Sequence, residues 1–228
     1  MQNHDEWILR DRQVRPDAPF PAAHQAVRIA MYDEYAARSF YAKVIEAFGA
    51  RAPFVHIVKA EQRHVDALGR LCDRLGCPRP LDPFPMETTV APVWSANCER
   101  AIAGEMANIQ LYDALLPYAA DPGMQQVFLN LQAASRDQHL PAFRRALSDA
   151  LVLESYHASH GIAPANAHAR HGVVADLLER VFAQLGPGAG LVSPFIRSAH
   201  PALLAGMATG ATGVYLYRHK AGHLQKEK

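Results

Sequence analysis

The sequence predicts an all-α fold, a four-helix bundle made of two helical hairpins joined by a long crossover. Half of the 228 residues are apolar, which is enough for a sizeable core. Four runs carry apolar residues at helical spacing, and a proline-rich segment separates the first two runs from the last two. Residues 20–153 therefore need no strand.

The first hairpin has a glycine after each of its predicted helices. The first helix begins near Pro21, because proline suits the first helical turn, and Gly49 supplies its stop. The second helix begins near Pro53 and ends before Gly76. These signals predict two long helices with a short connection.

The second hairpin follows a crossover over residues 76–93, whose five prolines exclude a long helix. A third helix is expected over residues 94–118. Asp121 is an N-cap followed by a first-turn proline, so a fourth helix is predicted over residues 122–153. Pro141 lies inside this helix and should kink it.

The flanking segments set the domain boundaries. Residues 1–20 are polar and are predicted to form an arm, residues 21–153 form the bundle, and residues 154–228 form a C-terminal extension. The extension comprises a loop with His157, His160, His168 and His171, an amphipathic helix over residues 172–185, and an apolar, glycine-rich helix from Pro201 to Tyr217.

Composition excludes several classes of protein. The chain has 23 Lys and Arg against 22 Asp and Glu, and no basic stripe that would indicate nucleic-acid binding. The cysteines Cys72, Cys77 and Cys98 lie at no metal-ligand spacing and indicate reduced thiols in a cytoplasmic setting. The charged N-terminus lacks the apolar segment of a secretory signal peptide.

The chain centres on a Glu-x-x-His motif, Glu61 and His64. Residues three apart share one face of a helix, so the carboxylate and the imidazole point the same way. Glu34 on the first helix and Glu61 on the second both lie about 20 Å from the turn at Gly49, at roughly 1.5 Å rise per residue. The two carboxylates should therefore stand at similar height on neighbouring helices.

The second hairpin repeats this arrangement with Glu105 and His139, which also lie at similar distances from their turn. Glu34 is followed at i+7 by Tyr41, and Glu105 at i+7 by Tyr112. We interpret both tyrosines as core aromatics with one polar contact. Three carboxylates and two imidazoles suit iron or manganese better than structural zinc, which favours thiolates.

Residues 21–150 resemble the ferritin-like di-iron carboxylate superfamily of ferritins, bacterioferritins and rubrerythrins, and especially its small ferritin-like domains. The resemblance rests on Ile45-Glu46-Ala47-Phe48-Gly49, on Pro53-Phe54 and on Ala60-Glu61-x-x-His64. It implies one or two iron ions, with manganese as an alternative, held by Glu34, Glu61, His64, Glu105 and His139. It also implies a bridging role for Glu61 and Glu105 if two ions bind.

One position departs from the superfamily pattern. Arg136 stands three residues before His139, where the resemblance implies a carboxylate. Arg136 could pair with Glu34 or Glu105 in place of a metal's charge. Alternatively, a local bulge could turn Asp137 inward. Two ions, one ion or none are all compatible with the sequence at this point.

Two functional hypotheses follow. The first is a non-haem iron oxidoreductase that acts on a small oxidant, either peroxide or O₂. The second is a non-catalytic ferritin-like scaffold that assembles as a homo-oligomer, most simply a dimer, or attaches to a membrane through residues 201–217. That run has no charge, is near the short limit for a membrane span, and carries Gly206 and Gly210 on one small-residue face. Burial of the same helix within a soluble protein is its alternative.

Overall fold

The computed structural model describes residues 3–159 and residue 161. This part of the chain is all-helical and contains no strand. Its helices are α1 (Glu6–Asp11), α2 (Ala22–Phe48), α3 (Phe54–Leu75), α4 (Phe84–Glu87), α5 (Trp94–Leu115), α6 (Pro122–Ala134) and α7 (Leu140–Ser159). The chain divides into two units after Ala150, and the packing described below is that of the first unit.

The predicted ends of the first two long helices and the predicted start of the fourth are confirmed. Gly49 and Gly76 follow α2 and α3, with φ of +83° and +66°. The Asp121 carboxylate accepts a 2.9 Å hydrogen bond from the Met124 amide and so caps α6. The crossover contains no long helix, only the four residues of α4. The third predicted helix ends as a 3₁₀ turn, Leu116–Tyr118.

Two apolar clusters build the core, one above the other along the helices. α2 packs against α3 and α5, and α6 packs against α3 and α5. One cluster joins α1 and α6 to the first half of α2. The other surrounds Phe54, whose ring meets those of Phe40, Tyr41, Trp94 and Phe143 at centroid distances of 6.3, 5.6, 5.1 and 4.9 Å. The polar residues described below lie between the two clusters.

The N-terminal segment differs from the predicted arm because it contains α1. Ile8 and Leu9 of this short helix are fully buried in the first cluster. The buried guanidinium of Arg28 on α2 pairs with the carboxylate of Asp5, with Nε 2.7 Å from Oδ2. The segment is attached to α2 by this ion pair and by the burial of the two apolar side chains.

A π-helical turn interrupts the fourth predicted helix just before Pro141. α6 ends at Ala134, a π-helical turn spans Ser135–His139, and α7 begins at Leu140. Proline cannot donate to the carbonyl of Asp137, and its ring would press on that carbonyl. The wider turn, in which the Leu140 amide bonds to Ser135, accommodates the ring.

The C-terminal predictions are only partly covered. α7 continues to Ser159, so residues 154–159, which were expected to belong to a loop, are helical and include His157. His160, His168 and His171, the amphipathic helix and the run from Pro201 to Tyr217 lie outside the described residues. Within residues 3–159, no helix is both long and apolar enough to cross a membrane.

Candidate metal centre

The five predicted site residues meet in one polar layer between the two apolar clusters. Three helices and the π turn contribute them, with Glu34 on α2, Glu61 and His64 on α3, Glu105 on α5 and His139 at the end of the π turn. Four are almost fully buried, with 1 to 3% of their surface exposed, and the side chain of His64 is 11% exposed. The five residues therefore lie close together as expected, and their role as metal ligands stays a prediction.

The layer consists of two triads that share Glu61. One is Glu34, Glu61 and His64, the other Glu61, Glu105 and His139, and in each triad the candidate ligand atoms lie within 4.8 Å of one another. The two histidine rings are stacked, with centroids 5.6 Å apart and planes 22° from parallel. Each buried group could hold a metal ion.

Glu61 uses a different oxygen toward each histidine. Its Oε2 lies 2.9 Å from Nδ1 of His64, and its Oε1 lies 3.1 Å from Nδ1 of His139. The outer carboxylates complete the arrangement: Glu34 Oε2 is 3.2 Å from the His64 nitrogen, and Glu105 Oε2 is 3.5 Å from the His139 nitrogen. Glu61 is thus the central carboxylate of the layer.

The outer carboxylates are held by tyrosines in a crossed arrangement. Tyr41 of α2 donates a 2.5 Å hydrogen bond to Oε1 of Glu105 on α5. Tyr112 of α5 donates a 2.8 Å bond to Oε1 of Glu34 on α2. Both rings are at most 2% exposed, so the expectation of core aromatics with one polar contact agrees with the structure. The second carboxylate oxygen of Glu34 faces His64, and that of Glu105 faces His139.

The pKa values of Glu34 and Glu61 shift in opposite directions. Burial, followed by the charge of Glu61, raises the pKa of Glu34 to about 7. Burial acts the same way on Glu61, but its close polar neighbours His139, His64 and Glu34 outweigh burial and lower the pKa of Glu61 below its usual value. Glu61 therefore stays ionised more readily than Glu34.

The histidines are shifted toward the protonated form. Burial opposes a charged imidazole, but Glu34 and Glu61 outweigh it and raise the pKa of His64 to about 10. Glu105 and Glu61 likewise outweigh burial and raise the pKa of His139 to about 9. Protons on these rings balance the carboxylate charge when no metal is bound.

His139 provides a test of whether the residues fit a metal. Its Nδ1 is within 3.5 Å of two carboxylate oxygens, yet it forms no well-directed hydrogen bond with any described residue. A buried ring nitrogen without a hydrogen bond is uncommon and costly. An ion between this nitrogen, Glu61 and Glu105 would satisfy all three groups, so the donor set fits a metal.

The fourth-helix position that departed from the superfamily pattern lies outside the layer. Arg136 and Asp137 are more than half exposed and pair with each other, with Nε 3.0 Å from Oδ1. Arg136 therefore does not pair with Glu34 or Glu105, and Asp137 does not turn inward. Both alternatives drawn from the sequence are wrong, because the π turn directs these two side chains to solvent.

Ser135 and Asn108 fill this side of the layer, and the sequence did not single them out. The Ser135 hydroxyl donates a 2.9 Å hydrogen bond to Oδ1 of Asn108. Asn108 Nδ2 donates to Asp33 Oδ2 at 2.9 Å and to Glu34 Oε1 at 3.3 Å. The spacing Glu105-x-x-Asn108 was a usable signal for Asn108, whereas nothing local indicated that Ser135 would turn inward.

A cavity of about 300 Å³ opens beside the carboxylates. Its polar floor consists of Glu34, Glu61, Glu105, Asn108 and Ser135, and its walls include small side chains of α2 and α5. Arg12 and Arg100 also line it. A small molecule therefore has space next to the layer.

Comparisons with known proteins add the fold and no activity. No family model matches the sequence, and no curated protein matches it. A crystal structure of a hypothetical protein, MJ0754, from Methanococcus jannaschii DSM 2661 is similar, with a TM-score of 0.51 and 19% identity over 59% of this chain and 85% of the other. The described part of the chain is thus all-helical, and its buried glutamate and histidine groups could hold metal ions.

Proposed function

We propose that this protein is a ferritin-like four-helix bundle that binds two iron ions in the polar layer. The position of Glu61 carries the proposal, since its two oxygens face histidines from different helices and it belongs to both triads. One ion would be held by Glu34, Glu61 and His64, and the other by Glu61, Glu105 and His139. This assignment makes Glu61 alone the bridge, because Glu105 belongs to a single triad.

The charge of the layer supports metal binding. Three deprotonated carboxylates in a buried site are costly unless cations or protons compensate them. Protons provide the compensation in the metal-free protein, as the raised pKa values of Glu34, His64 and His139 indicate. Divalent ions would take the place of these protons and satisfy the same oxygens and nitrogens.

The donor set favours iron over zinc. Each triad offers two carboxylates and one imidazole and no thiolate, which suits Fe(II) or Mn(II) better than a structural zinc site. None of the described cysteines belongs to either triad. Manganese is the alternative ion on the same grounds.

An oxidoreductase reaction with peroxide or O₂ is the chemistry we propose. Iron with open coordination positions exchanges electrons with such oxidants. The chain itself contributes the cavity that reaches Glu34, Glu61 and Glu105, and the neutral Asn108 and Ser135 on the side where the superfamily has a fourth carboxylate. A small oxidant could occupy the cavity beside these two neutral side chains.

Anaerobic titration of the metal-free full-length protein with Fe(II) tests the proposal. We expect two tightly bound ions per chain and a loss of both in Glu61→Gln, because the central carboxylate serves both positions. Glu46→Gln is the matched control, since Glu46 is exposed on α2 and pairs only with Lys43 among the described residues. Circular dichroism should show that both variants are helical.

Two outcomes would count against the metal centre. One is wild-type protein that retains no Fe(II) after removal of unbound iron. The other is Glu61→Gln protein that binds as much iron as Glu46→Gln. A parallel titration with Mn(II) then shows which of the two ions binds with the higher affinity.

The scaffold hypothesis loses one of its two supports. It relied on an Arg136 side chain that points into the bundle and takes the place of a metal's charge. In the structure, Arg136 is exposed and paired with Asp137. Its other support, the apolar run from Pro201 to Tyr217, lies outside the described residues. Attachment or dimerisation through that run stays a prediction, to be tested by comparing the full chain with a truncation at Gly190 in membrane fractions and on sizing columns.

A further inference from the structure

The end of α3 places two cysteines side by side. Gly76 adopts a left-handed conformation, its amide bonds to the carbonyl of Asp73 at 3.2 Å, and the Cys77 amide bonds to the carbonyl of Cys72 at 3.0 Å. This is the Schellman arrangement, in which the residue after the glycine contacts the residue five positions earlier. Here both members of that contact are cysteines.

The two thiols share one apolar environment. Cys72 is fully buried and Cys77 is 6% exposed, and both belong to the cluster that includes Met31, whose sulfur is 4.0 Å from that of Cys72. Interaction between the thiols is the largest influence on both: it raises the pKa of Cys72 far above its ordinary value and lowers that of Cys77. Proximity has therefore made the two sulfurs unequal.

A buried cation lies close to the two cysteines. The guanidinium of Arg28 donates a hydrogen bond to the carbonyl of Pro78, the residue after Cys77, and its charge favours the Cys77 thiolate. Thiolate stabilised by a nearby arginine is the nucleophilic form of cysteine. Cys77 is also the less completely buried member of the pair, so a small reagent would reach it first.

We infer that Cys72 and Cys77 form a redox-active dithiol that hydrogen peroxide converts to an intrachain disulfide. The Cys77 thiolate attacks one peroxide oxygen, the O–O bond breaks, and the products are a sulfenic acid and hydroxide, which takes up a proton to become water. The Cys72 sulfur then displaces the sulfenic oxygen as a second water, its thiol proton being consumed in that water. Two thiols lose two electrons, and one peroxide is reduced to two waters.

The geometry at the backbone suits this bond. A disulfide requires Cα atoms no more than about 7 Å apart, and a direct backbone hydrogen bond between the two residues brings them within that range. The alternative is that both cysteines serve only as small apolar residues at the end of the helix, as buried cysteines often do. The reaction with peroxide separates these possibilities.

The test uses full-length Cys98→Ser protein, so that only one intrachain pair can form. Metal is removed with a chelator, which makes the outcome independent of the proposed iron centre. After treatment with one equivalent of hydrogen peroxide, remaining thiols are alkylated in denaturant and the protein is digested with trypsin without reduction. Because Arg74 lies between the two cysteines, the disulfide would join the peptide of residues 71–74 to the peptide that begins at residue 75.

We expect complete loss of both alkylatable thiols, appearance of the joined peptides in monomeric protein, and full recovery with dithiothreitol. In a Cys72→Ser variant, Cys77 should instead accumulate as sulfenic acid that dimedone traps. In a Cys77→Ser variant, Cys72 should stay alkylatable under the same conditions. Thiols that stay alkylatable in folded protein, or equal oxidation of Cys72 with and without Cys77, would overturn the inference.

Discussion

Tyr41 and Glu105 are joined by a 2.5 Å hydrogen bond between α2 and α5 in the interior of the protein. The equivalent bond from Tyr112 to Glu34 runs in the opposite direction between the same two helices. Each tyrosine thus fixes the carboxylate on its neighbour, and each carboxylate keeps its second oxygen toward a histidine. This crossed pair relates the two triads by an approximate two-fold repeat.

Removing one of these hydroxyls should destabilise the protein without disrupting its helices. Tyr41→Phe leaves Glu105 with one hydrogen bond fewer, and a buried group that loses its partner costs about 1–3 kcal/mol. Tyr112→Phe should cost a similar amount through Glu34. Urea unfolding of metal-free protein measures both, with Tyr35→Phe as a control outside the two pairs. If the unfolding free energy decreases no more in these variants than in the control, the two hydrogen bonds contribute nothing to stability.

The stability of metal-free protein should fall as pH rises. Glu34, His64 and His139 have folded pKa values of about 7, 10 and 9, all above their ordinary values of 4.5, 6.5 and 6.5. A raised pKa means that the folded state binds the proton more tightly, so the stabilisation is complete below the ordinary value and is lost as pH passes the folded one. The window therefore runs from about pH 4.5 to 10.

Thermal unfolding of metal-free protein between pH 7 and 10 measures this loss for the two histidines. We expect the midpoint to decrease across the range, and to decrease less in a His64→Gln variant, which lacks one of the titrating groups. Saturation with Mn(II) should flatten the profile, because the metal replaces the protons. A midpoint that is constant or rises with pH in the metal-free protein would contradict the assignment.

Metal binding near neutral pH should release protons. Both His64 and His139 are protonated at pH 7 by their shifted pKa values, and a histidine must lose its proton to bind a metal. Loading both positions should release at least about two protons per chain. Calorimetric titration with Mn(II) in buffers of different ionisation enthalpy measures the number. Release of no protons would mean that the ions bind elsewhere.

The π turn makes a specific prediction about the fourth helix. Ser135 is buried and lines the cavity, whereas Arg136 is exposed, so Ser135→Asp places a carboxylate in the layer and Arg136→Asp does not. Ser135→Asp should destabilise metal-free protein and strengthen Mn(II) binding. Arg136→Asp should change unfolding free energy by no more than about 0.5 kcal/mol and leave binding unchanged. The reverse ranking would place Arg136, not Ser135, at the layer.

Much of the helical framework was readable from local signals. Gly49, Gly76 and the Asp121 cap mark helix ends through backbone conformations that few other residues provide, and spacing from the turns put Glu34 and Glu61 at one height. These signals act within a few residues of the positions they specify. They were sufficient to predict that all five site residues lie close together.

The remaining features depend on contacts distant in sequence or on unusual backbone geometry. α1 is held by burial of Ile8 and Leu9 and by Asp5 with Arg28, a pair separated by 23 residues, so its polar sequence resembled an arm. Because of the π turn, Ser135 points into the protein at the place where a regular helix would direct Arg136. A periodicity argument that assumes regular helix therefore assigns the wrong one of these two residues to the interior.

Anomalous diffraction at the iron edge, from crystals of the protein loaded anaerobically with Fe(II), tests the central claim most directly. The account predicts two iron peaks in each molecule, one on either side of Glu61. The first should contact Glu34 and His64, and the second Glu105 and His139. Iron at other residues, or no iron in the layer of fully loaded protein, would contradict it.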